Sequence, residues 1–253
     1  MTERLGVKGH SVFLYFNNLL KTKICGFKLT LFLTAVLFNL AIAQERYVVM
    51  VSLDGFRWDY PNLYNTPNLD KIAKKGVKAH SLIPSFPSVT FPNHYTIATG
   101  LYPDHHGLVA NSFYDSTLRL SYAINNRQMV EDKRFYSGEP IWNTAGKQGM
   151  KTASFFWVGS EAPVNDMQPT YWKKYDGKVP YKNRIDTVVK WLSLPEKDRP
   201  RLVLLYFSEP DHTGHTYGPK SVETKKVVEN LDSLIGELVV KTQKNTRFRK
   251  RLI

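Results

Sequence analysis

Two side chains in the second half of the sequence, Asp211 and His215, have the types and the spacing to bind a metal ion. A carboxylate and an imidazole four residues apart, with Gly214 allowing a tight path between them, can bind one zinc ion through oxygen and nitrogen. Such a pair is also common in solvated loops and helix caps. Its position just after an apolar run, close to Gly218 and Pro219, supports the metal interpretation. From spacing alone, both interpretations stay open.

Asp54 offers another carboxylate in a similar place. It follows the apolar run 47–53 and precedes Gly55. An Asp-Gly pair after a strand is most often a turn, because the Asp side chain bonds to nearby backbone. The edge beyond a buried strand is also where open α/β sheets bind ligands. Taken alone, the dipeptide favours the turn over the metal ligand.

The segment 84–94, PSFPSVTFPNH, presents three hydroxyl groups ahead of a predicted helix: Ser85, Ser88 and Thr90. A hydroxyl at a helix N-terminus lies in positive potential, which suits a phosphate or an alkoxide. A metal-bound hydroxyl is also a better nucleophile at neutral pH. The structural alternative is a threonine that caps the helix, and spacing does not choose among the three. Nearby histidines are further candidate ligands, although single loop histidines are more often structural: His94, His105 and His106.

Strands and helices alternate along the chain. Short apolar runs predict strands, and amphipathic spacing or capping signals predict helices. The predicted strands are 47–53, 77–83, 151–157 and 201–207. The predicted helices are 66–76 with Thr66 as N-cap, 90–100, 138–149, one around 185–192, and one ending near Val240, with loops at 158–180 and 208–219. This order predicts an α/β fold, a mainly parallel sheet with helices on both faces.

The predicted sheet would bring the chemical groups together. In open α/β sheets, ligands bind beyond the carboxyl ends of the strands. Asp54 follows the first strand and Asp211 follows the last. We therefore expect both carboxylates at one edge of the sheet.

The charge of +13 is concentrated at the two ends of the chain. Residues 1–43 carry five basic groups and one acidic group, and residues 241–253 carry six basic groups and no acidic one. The remaining residues, 44–240, are left with +3. This distribution gives little support to a nucleic-acid partner.

The N-terminus resembles an export signal. Lysines precede an apolar run, 29–43, that closes on the small-x-small sequence Ala41-Ile42-Ala43. The run is shorter than the ~20 apolar residues of a membrane span, so we favour cleavage after Ala43 over a membrane anchor. Cys25 is the only cysteine. Because it lies in the signal, the mature protein can form no disulfide, which fits a periplasm better than a eukaryotic cell surface.

Five motifs together resemble the nucleotide pyrophosphatase/phosphodiesterase family of the alkaline phosphatase superfamily. They occur in the family's order, and the resemblance covers Tyr47 to about Val240. The matching stretches are VVMVSLDGFRWDY from Val48, PSFPSVTFPNHYTIATGLYPDHHGLVAN from Pro84, GEPIWNTAGKQG from Gly138, FFWVGSE from Phe155 and LLYFSEPDHTGHTYGP from Leu204. Five ordered motifs are far more specific than any one of them.

The resemblance implies a hydrolase with two zinc ions (Zn²⁺). By matching position, Asp54 is a ligand of one zinc, and Thr90 is the nucleophile whose oxygen that zinc binds. Asp211 and His215 match two ligands of the second zinc. The implied reaction is attack of Thr90 on phosphorus, followed by hydrolysis of a threonyl-phosphate.

The resemblance also implies substrate contacts. Asn111 matches a side chain that holds a phosphate oxygen. Phe91 and Tyr175 match aromatic positions that clamp a nucleotide base in some members. The expected substrate is a nucleotide or another phosphate ester, and we expect a membrane only through the export signal.

The sequence departs from the family pattern in its zinc ligands. The family supplies an Asp-His-Gly motif and a later histidine, and neither occurs after His215. We therefore predict a signal peptide at 1–43, the N-terminal part of a catalytic domain at 44–240, and an aberrant basic tail at 241–253. We expect this chain to be inactive or nearly so. The alternatives are a non-catalytic binding remnant and a phosphomonoesterase or lysophospholipase-type relative.

Overall fold

The structure is a computed structural model and describes residues 46–244. The predicted signal peptide, residues 1–43, and residues 245–253 of the predicted tail lie outside the described residues. Within the described part, no helix is both long enough and apolar enough to cross a membrane.

Within residues 46–244, six strands form two sheets. The strands are β1 (Val48–Leu53), β2 (Ser112–Asp115), β3 (Leu120–Ala123), β4 (Thr152–Phe155), β5 (Tyr171–Lys173) and β6 (Leu202–Phe207). The main sheet has the order β1-β6-β4-β5, and every neighbouring pair in it is parallel. β2 and β3 form a separate antiparallel pair. The mainly parallel sheet predicted from the sequence is confirmed.

Helices lie between the strands along the chain. They are α1 (Tyr60–Leu63), α2 (Pro67–Lys75), α3 (Thr90–Thr99), α4 (Pro103–His106), α5 (Arg127–Val130), α6 (Ile141–Lys147), α7 (Tyr181–Leu192), α8 (Asp211–Tyr217) and α9 (Val222–Lys244), with short 3₁₀ turns at Lys133–Phe135, Val164–Asp166 and Glu196–Asp198. β6 separates two apolar clusters, because successive strand residues point to opposite faces. Val203, Leu205 and Phe207 pack with α7 and α9, whereas Leu202 and Leu204 pack with α3 and α6.

The register aligns the carboxyl ends of the strands. Leu53 at the end of β1 pairs with Phe207 at the end of β6, and Phe155 of β4 pairs with Leu205. Each strand therefore delivers the residues that follow it to the same edge of the sheet. All six residues of β6 are buried, and full burial of such side chains contributes about 1.5–3 kcal/mol each. The strand nearest the site is thus the most strongly anchored.

One predicted strand is wrong. Residues 77–83 form no strand in the structure, and Val77 and Ile83 are 98% and 88% exposed. An apolar run becomes a strand only where a neighbouring strand offers its backbone groups. None of the described strands pairs with this segment.

Other differences concern short elements and helix ends. The loops predicted at 158–180 and 208–219 contain β5 and α8, respectively, and α9 continues past Val240 to Lys244. Thr66 occupies the N-cap position of α2, but its hydroxyl makes no capping bond. Instead, the carboxylate of Asp232 accepts the backbone N–H groups of Asn68 and Leu69. The capping carboxylate of α2 therefore belongs to α9, and nothing in the sequence around α2 indicates this contact.

Candidate active site

A cavity of about 340 Å³ opens at the carboxyl edge of the main sheet. This volume lies in the usual range for small-molecule sites, about 300–1,000 Å³. Residues that follow each of the four strands line it, together with the first turn of α3 and residues from 124–130. The lining residues used below are Asp54, Thr90, Phe91, Arg127, Phe156, Glu161, Tyr175, Tyr206, Asp211, His212 and His215.

The loops after β1 and β6 are tied together. The backbone N–H of Asp211 donates to the carbonyl of Asp54 at 2.9 Å, and the N–H of Asp54 donates to Phe207 at 3.0 Å. Gly55 makes this approach possible, because a Cβ there would lie 2.7 Å from the Cα of Asp211. Its φ of +65° is also disfavoured for other residues. The two predicted carboxylates are therefore brought together, as expected from the sheet order.

Thr90 lies at the first position of α3, facing Asp54. Its Oγ1 donates to Oδ2 of Asp54 at 3.1 Å. Of the other two candidate hydroxyls, that of Ser85 is buried and has no hydrogen-bond partner in the described part of the chain, and Ser88 does not line the cavity. The geometry thus distinguishes three hydroxyls that the sequence left equivalent, and it favours Thr90.

Asp211 and His215 lie one turn apart on α8. This short helix replaces the predicted loop, and it explains why a spacing of four brings the side chains together. Asp211 Oδ1 lies 3.4 Å from His215 Nε2. The His215 side chain is 80% exposed, so it has room to turn toward a ligand.

The two carboxylates repel one another. The pKa of Asp211 is raised above its usual value of 3.8, first by burial and then by the negative charge of Asp54. Burial and a like charge both disfavour the ionised form. A cation between the two carboxylates would relieve this repulsion.

The predicted substrate residues also meet around this edge. Asn111 Oδ1 accepts the backbone N–H of Phe91 at 3.0 Å, at the N-terminus of α3. Phe91 and Tyr175 both line the cavity, although Asn111 does not. Tyr175 is 38% exposed, and its ring lies 5.0 Å from the ring of Phe156. Phe91 and Asn111 both lie between β1 and β2, whereas Tyr175 follows β5, so the folded sheet brings Tyr175 to the side of the cavity that Phe91 lines.

Several lining residues were not identified from the sequence. The Tyr206 hydroxyl donates to Asp54 Oδ2 at 2.8 Å, and its pKa is raised by burial and then by the Asp54 charge. Arg127 forms an ion pair with Glu161 at the wall of the cavity. His212 adds an exposed imidazole. Tyr206, Glu161 and His212 lie inside the matching stretches quoted above, whereas Arg127 lies outside all of them.

The other candidate histidines make structural contacts. His94 is buried and bonds to Ser52 Oγ at 2.8 Å and to the Thr90 carbonyl at 2.7 Å. His106 is also buried, between Thr96 Oγ1 and the Leu108 N–H. His105 is exposed and pairs with Asp104. None of the three lines the cavity.

The donor types at this edge fit zinc, although the number of donors is small. Carboxylate and imidazole are common zinc donors, and a closed zinc site normally has four. Asp54 with Thr90, and Asp211 with His215, provide two donors each. In residues 46–244, no three His, Cys, Asp or Glu side chains meet in a group that could hold a metal ion. The described residues therefore fit part of a two-cation site.

The chain has close relatives among known proteins. It is 41% identical over 193 residues to human ectonucleotide pyrophosphatase/phosphodiesterase family member 1, a match covering 76% of this chain and 21% of the relative. It is 41% identical over 198 residues to venom phosphodiesterase CdcPDE of Crotalus durissus collilineatus, covering 78% of this chain and 24% of the relative. The chain thus spans about a quarter or less of the length of these two relatives.

A solved structure supports the same relationship. The chain matches murine ectonucleotide pyrophosphatase/phosphodiesterase 5, an inactive threonine-to-alanine variant in complex with AMP, with a TM-score of 0.77 and 33% identity. This match covers 82% of this chain and 55% of the murine chain. The family model for type I phosphodiesterase / nucleotide pyrophosphatase matches residues 48–253. The chain therefore belongs to the type I phosphodiesterase / nucleotide pyrophosphatase family.

Proposed function

We propose that this chain binds a nucleotide or related phosphate ester and hydrolyses its phosphodiester or pyrophosphate bond with Thr90 as the nucleophile. The observation that carries the proposal is the 3.1 Å hydrogen bond from Thr90 Oγ1 to Asp54 Oδ2, two residues that line the cavity. The N-terminus of the ten-residue helix α3 adds positive potential there. A phosphoryl group and a nucleophilic oxygen are both favoured at such a position.

The residues of the chain have separate roles in this reaction. Asp54 holds the Thr90 proton, so that a lone pair of Oγ1 is available to attack phosphorus. The new Oγ–P bond forms as the bond to the leaving alcohol or phosphate breaks, and the proton from Thr90 passes through Asp54 to that leaving group. Water then displaces Thr90 from phosphorus and returns a proton to Oγ1. Asn111, fixed through Oδ1 to the Phe91 N–H, has an amide NH₂ left to donate to a phosphate oxygen.

We further propose that two Zn²⁺ ions support this chemistry. Asp54 and Thr90 would hold one, and Asp211 and His215 would hold the other. When bound, the cations supply positive charge that lowers the pKa of a coordinated hydroxyl and neutralises phosphate oxygens. The raised pKa of Asp211 supports cation binding, because the repulsion behind it would be offset.

The cavity supports a substrate that carries an aromatic base. Phe91 and Tyr175 both line it, and stacking of a base on an aromatic ring contributes about 1–3 kcal/mol to binding. The murine relative with AMP bound supports the same choice. A nucleotide therefore fits the cavity better than a ligand that has a phosphate group alone.

Hydrolysis of three chromogenic esters by the full chain in the presence of zinc tests the proposal. We expect turnover of p-nitrophenyl thymidine 5′-phosphate in preference to p-nitrophenyl phosphate and p-nitrophenyl phosphocholine. Preference for the second or third ester would instead indicate a phosphomonoesterase or a lysophospholipase-type enzyme.

Thr90→Ala should abolish turnover, whereas Ser88→Ala, which removes a neighbouring hydroxyl outside the cavity, should not. Equal rates for the Thr90→Ala and unmodified chains would contradict the role of Thr90.

A second candidate function is nucleotide binding without turnover, the inactive chain that the missing zinc ligands predict from the sequence. The small number of cation donors among residues 46–244 favours it. In that case AMP should bind in equilibrium dialysis with zinc present, while none of the three esters is cleaved. Turnover at a rate normal for an enzyme would exclude this candidate.

We also propose that the protein is exported. The names of the relatives, an ectonucleotide enzyme and a venom enzyme, support this location for the family. The signal predicted at residues 1–43 remains a prediction, as does a periplasmic location. N-terminal sequencing of the secreted chain would test cleavage after Ala43.

A further inference from the structure

Arg184 is a buried cation outside the cavity. It lies on α7 with no exposed surface. Among residues 46–244 it has no acid within ion-pairing distance, and the charge of Asp176 acts on it only from further away. A buried charge without an opposite charge is costly unless other groups compensate it. Its Nη1 donates to the Tyr206 carbonyl at 2.9 Å, and its Nε donates to the Val179 carbonyl at 3.3 Å. The side chain therefore joins the segment before α7 to the strand end that carries Tyr206.

Aromatic rings surround the guanidinium. Its central carbon lies 4.9 Å from the ring centroid of Phe156, 4.6 Å from that of Tyr181 and 5.9 Å from that of Phe207. A guanidinium within about 6 Å of a ring face is attracted by the ring electrons. These contacts hold the Phe156 ring against Arg184.

Phe156 has a backbone conformation that is uncommon for a bulky residue. Its φ is +70°, in the left-handed region that favours glycine. Such strain persists only where surrounding contacts fix the residue. The Phe156 ring also contacts Tyr175, with centroids 5.0 Å apart and planes at 58°. A continuous row of contacts thus runs from Arg184 through Phe156 to Tyr175.

We propose that Arg184 is a positioning residue that holds Tyr175 at the wall of the cavity. It acts through the Phe156 ring and through its bond to Val179, four residues after Tyr175 in the same segment. Arg184 does not contact the substrate phosphate, because it is fully buried and does not line the cavity. The importance of this role for binding rests on the proposed function, in which Tyr175 stacks on a nucleotide base.

Fluorine NMR of the full chain with 3-fluorotyrosine at position 175 tests the positioning itself. In the unmodified chain, the nearby Phe156 ring should shift the signal away from that of free fluorotyrosine. Arg184→Lys keeps the charge but loses the planar set of donors, so the signal should move to the free value. Arg199→Lys is the matched control. Arg199 is also buried, with its guanidinium 5.8 Å from the Tyr47 ring, ahead of the opposite end of β6.

An unchanged signal in a folded Arg184→Lys chain would overturn the proposal, as would an equal shift in the Arg199 control. If Arg184→Lys does not fold, Phe156→Leu provides the second variant, since it removes the ring that joins Arg184 to Tyr175. The signal should then move toward the free value as well. A signal unchanged by Phe156→Leu would also overturn the proposal.

Binding measurements test the consequence for substrate. With zinc present, Arg184→Lys and Tyr175→Ala should each weaken AMP binding by about tenfold, the order expected for loss of base stacking. Ribose 5-phosphate, which has no base, should bind all variants equally.

The double variant should bind AMP no more weakly than Tyr175→Ala, because both changes remove the same contact. Additive losses would mean that Arg184 acts independently of Tyr175 and would overturn the proposal. If the unmodified chain does not bind AMP, the proposed function fails, while the fluorine signal still decides the positioning.

Discussion

Tyr206 and Asp54 are joined by a 2.8 Å hydrogen bond from a buried hydroxyl to the carboxylate oxygen that also accepts Thr90. The two residues lie on neighbouring strands of the main sheet or just after them, so the bond fixes the carboxylate relative to the sheet. Oδ2 of Asp54 thereby accepts hydrogen bonds from two hydroxyls, those of Tyr206 and Thr90, and both residues line the cavity. Its orientation is set before any ligand arrives.

Removal of this hydroxyl should affect both stability and activity. We expect Tyr206→Phe to lower the free energy of unfolding by about 1.5–3 kcal/mol, the usual range for a hydrogen bond to a charged group. Ester hydrolysis should fall by about tenfold, as for other partners of metal-binding side chains. Urea unfolding and p-nitrophenyl thymidine 5′-phosphate turnover measure the two effects. Tyr181→Phe is the control, because its hydroxyl bonds to the neutral Ser208 at 3.0 Å. If Tyr181→Phe lowered stability and turnover as much as Tyr206→Phe does, the hydrogen bond from Tyr206 to Asp54 would have no special role in the site.

Gly55 should tolerate substitution far less well than another glycine of similar backbone conformation. Gly55→Ala would place a Cβ 2.7 Å from Asp211 Cα and strain a φ of +65°. Gly100→Ala would strain the backbone in a similar way, because the φ of Gly100 is +71°. A Cβ there would have no atom within 4 Å, so it would cause no steric clash. We expect a loss of about 1–2 kcal/mol in the free energy of unfolding for Gly100→Ala, and a larger loss plus lost activity for Gly55→Ala. Similar values from thermal unfolding would contradict the close approach of the two loops.

Long apolar patterns predicted their elements correctly. β6 and α7 were both predicted, because continuous burial and the spacing of Ile185, Val188 and Leu192 are properties of the sequence itself. The carboxylates were expected at one edge because strand order and parallel pairing require it. These parts of the site could be predicted because they follow from local sequence pattern and from the rule that parallel strands bring the residues after them to one edge of the sheet.

The remaining parts of the site depend on distant contacts. Residues 77–83 have the composition of a strand, but no described strand pairs with them. Tyr206 is one apolar residue among six in its strand, and its hydroxyl partner lies 152 positions earlier. Arg184 lies four residues before Val188 and seven before Trp191, so helix spacing puts it beside the buried stripe, whereas its charge favours exposure. No local signal predicts the contacts that these residues make.

His106 should make the protein less stable at acidic pH. Its burial lowers the pKa below the ordinary 6.5, so below pH 6.5 the unfolded chain binds a proton that the folded chain resists. Stability from this group is therefore complete above pH 6.5 and decreases as the pH falls. Protonation would also turn Nδ1, which accepts the Leu108 N–H, into a donor.

The pH effect can be measured by urea unfolding at pH 7.5 and pH 5.0. We expect His106→Gln to make the loss of stability between the two pH values smaller, because the group whose pKa is lowered by burial is removed. His105→Gln changes the exposed neighbouring histidine and should leave the difference unaltered. The same difference in all three chains would show that His106 titrates normally.

The N-terminus of α2 distinguishes a cap expected from sequence from one supplied by the fold. Asp232 is buried and accepts the Leu69 N–H at 2.8 Å and the Asn68 N–H at 3.2 Å. Thr66 holds the N-cap position, but its buried hydroxyl has no partner.

Asp232→Asn should therefore lower the free energy of unfolding by about 1–2 kcal/mol, as for loss of a helix cap. Thr66→Val, which keeps the side-chain shape, should be neutral or slightly stabilising, because it removes an unpaired buried hydroxyl. If urea unfolding gives the reverse order, Thr66 is the cap and the contact between α9 and α2 contributes little. Turnover per folded molecule should be unchanged in both variants, because neither residue lines the cavity.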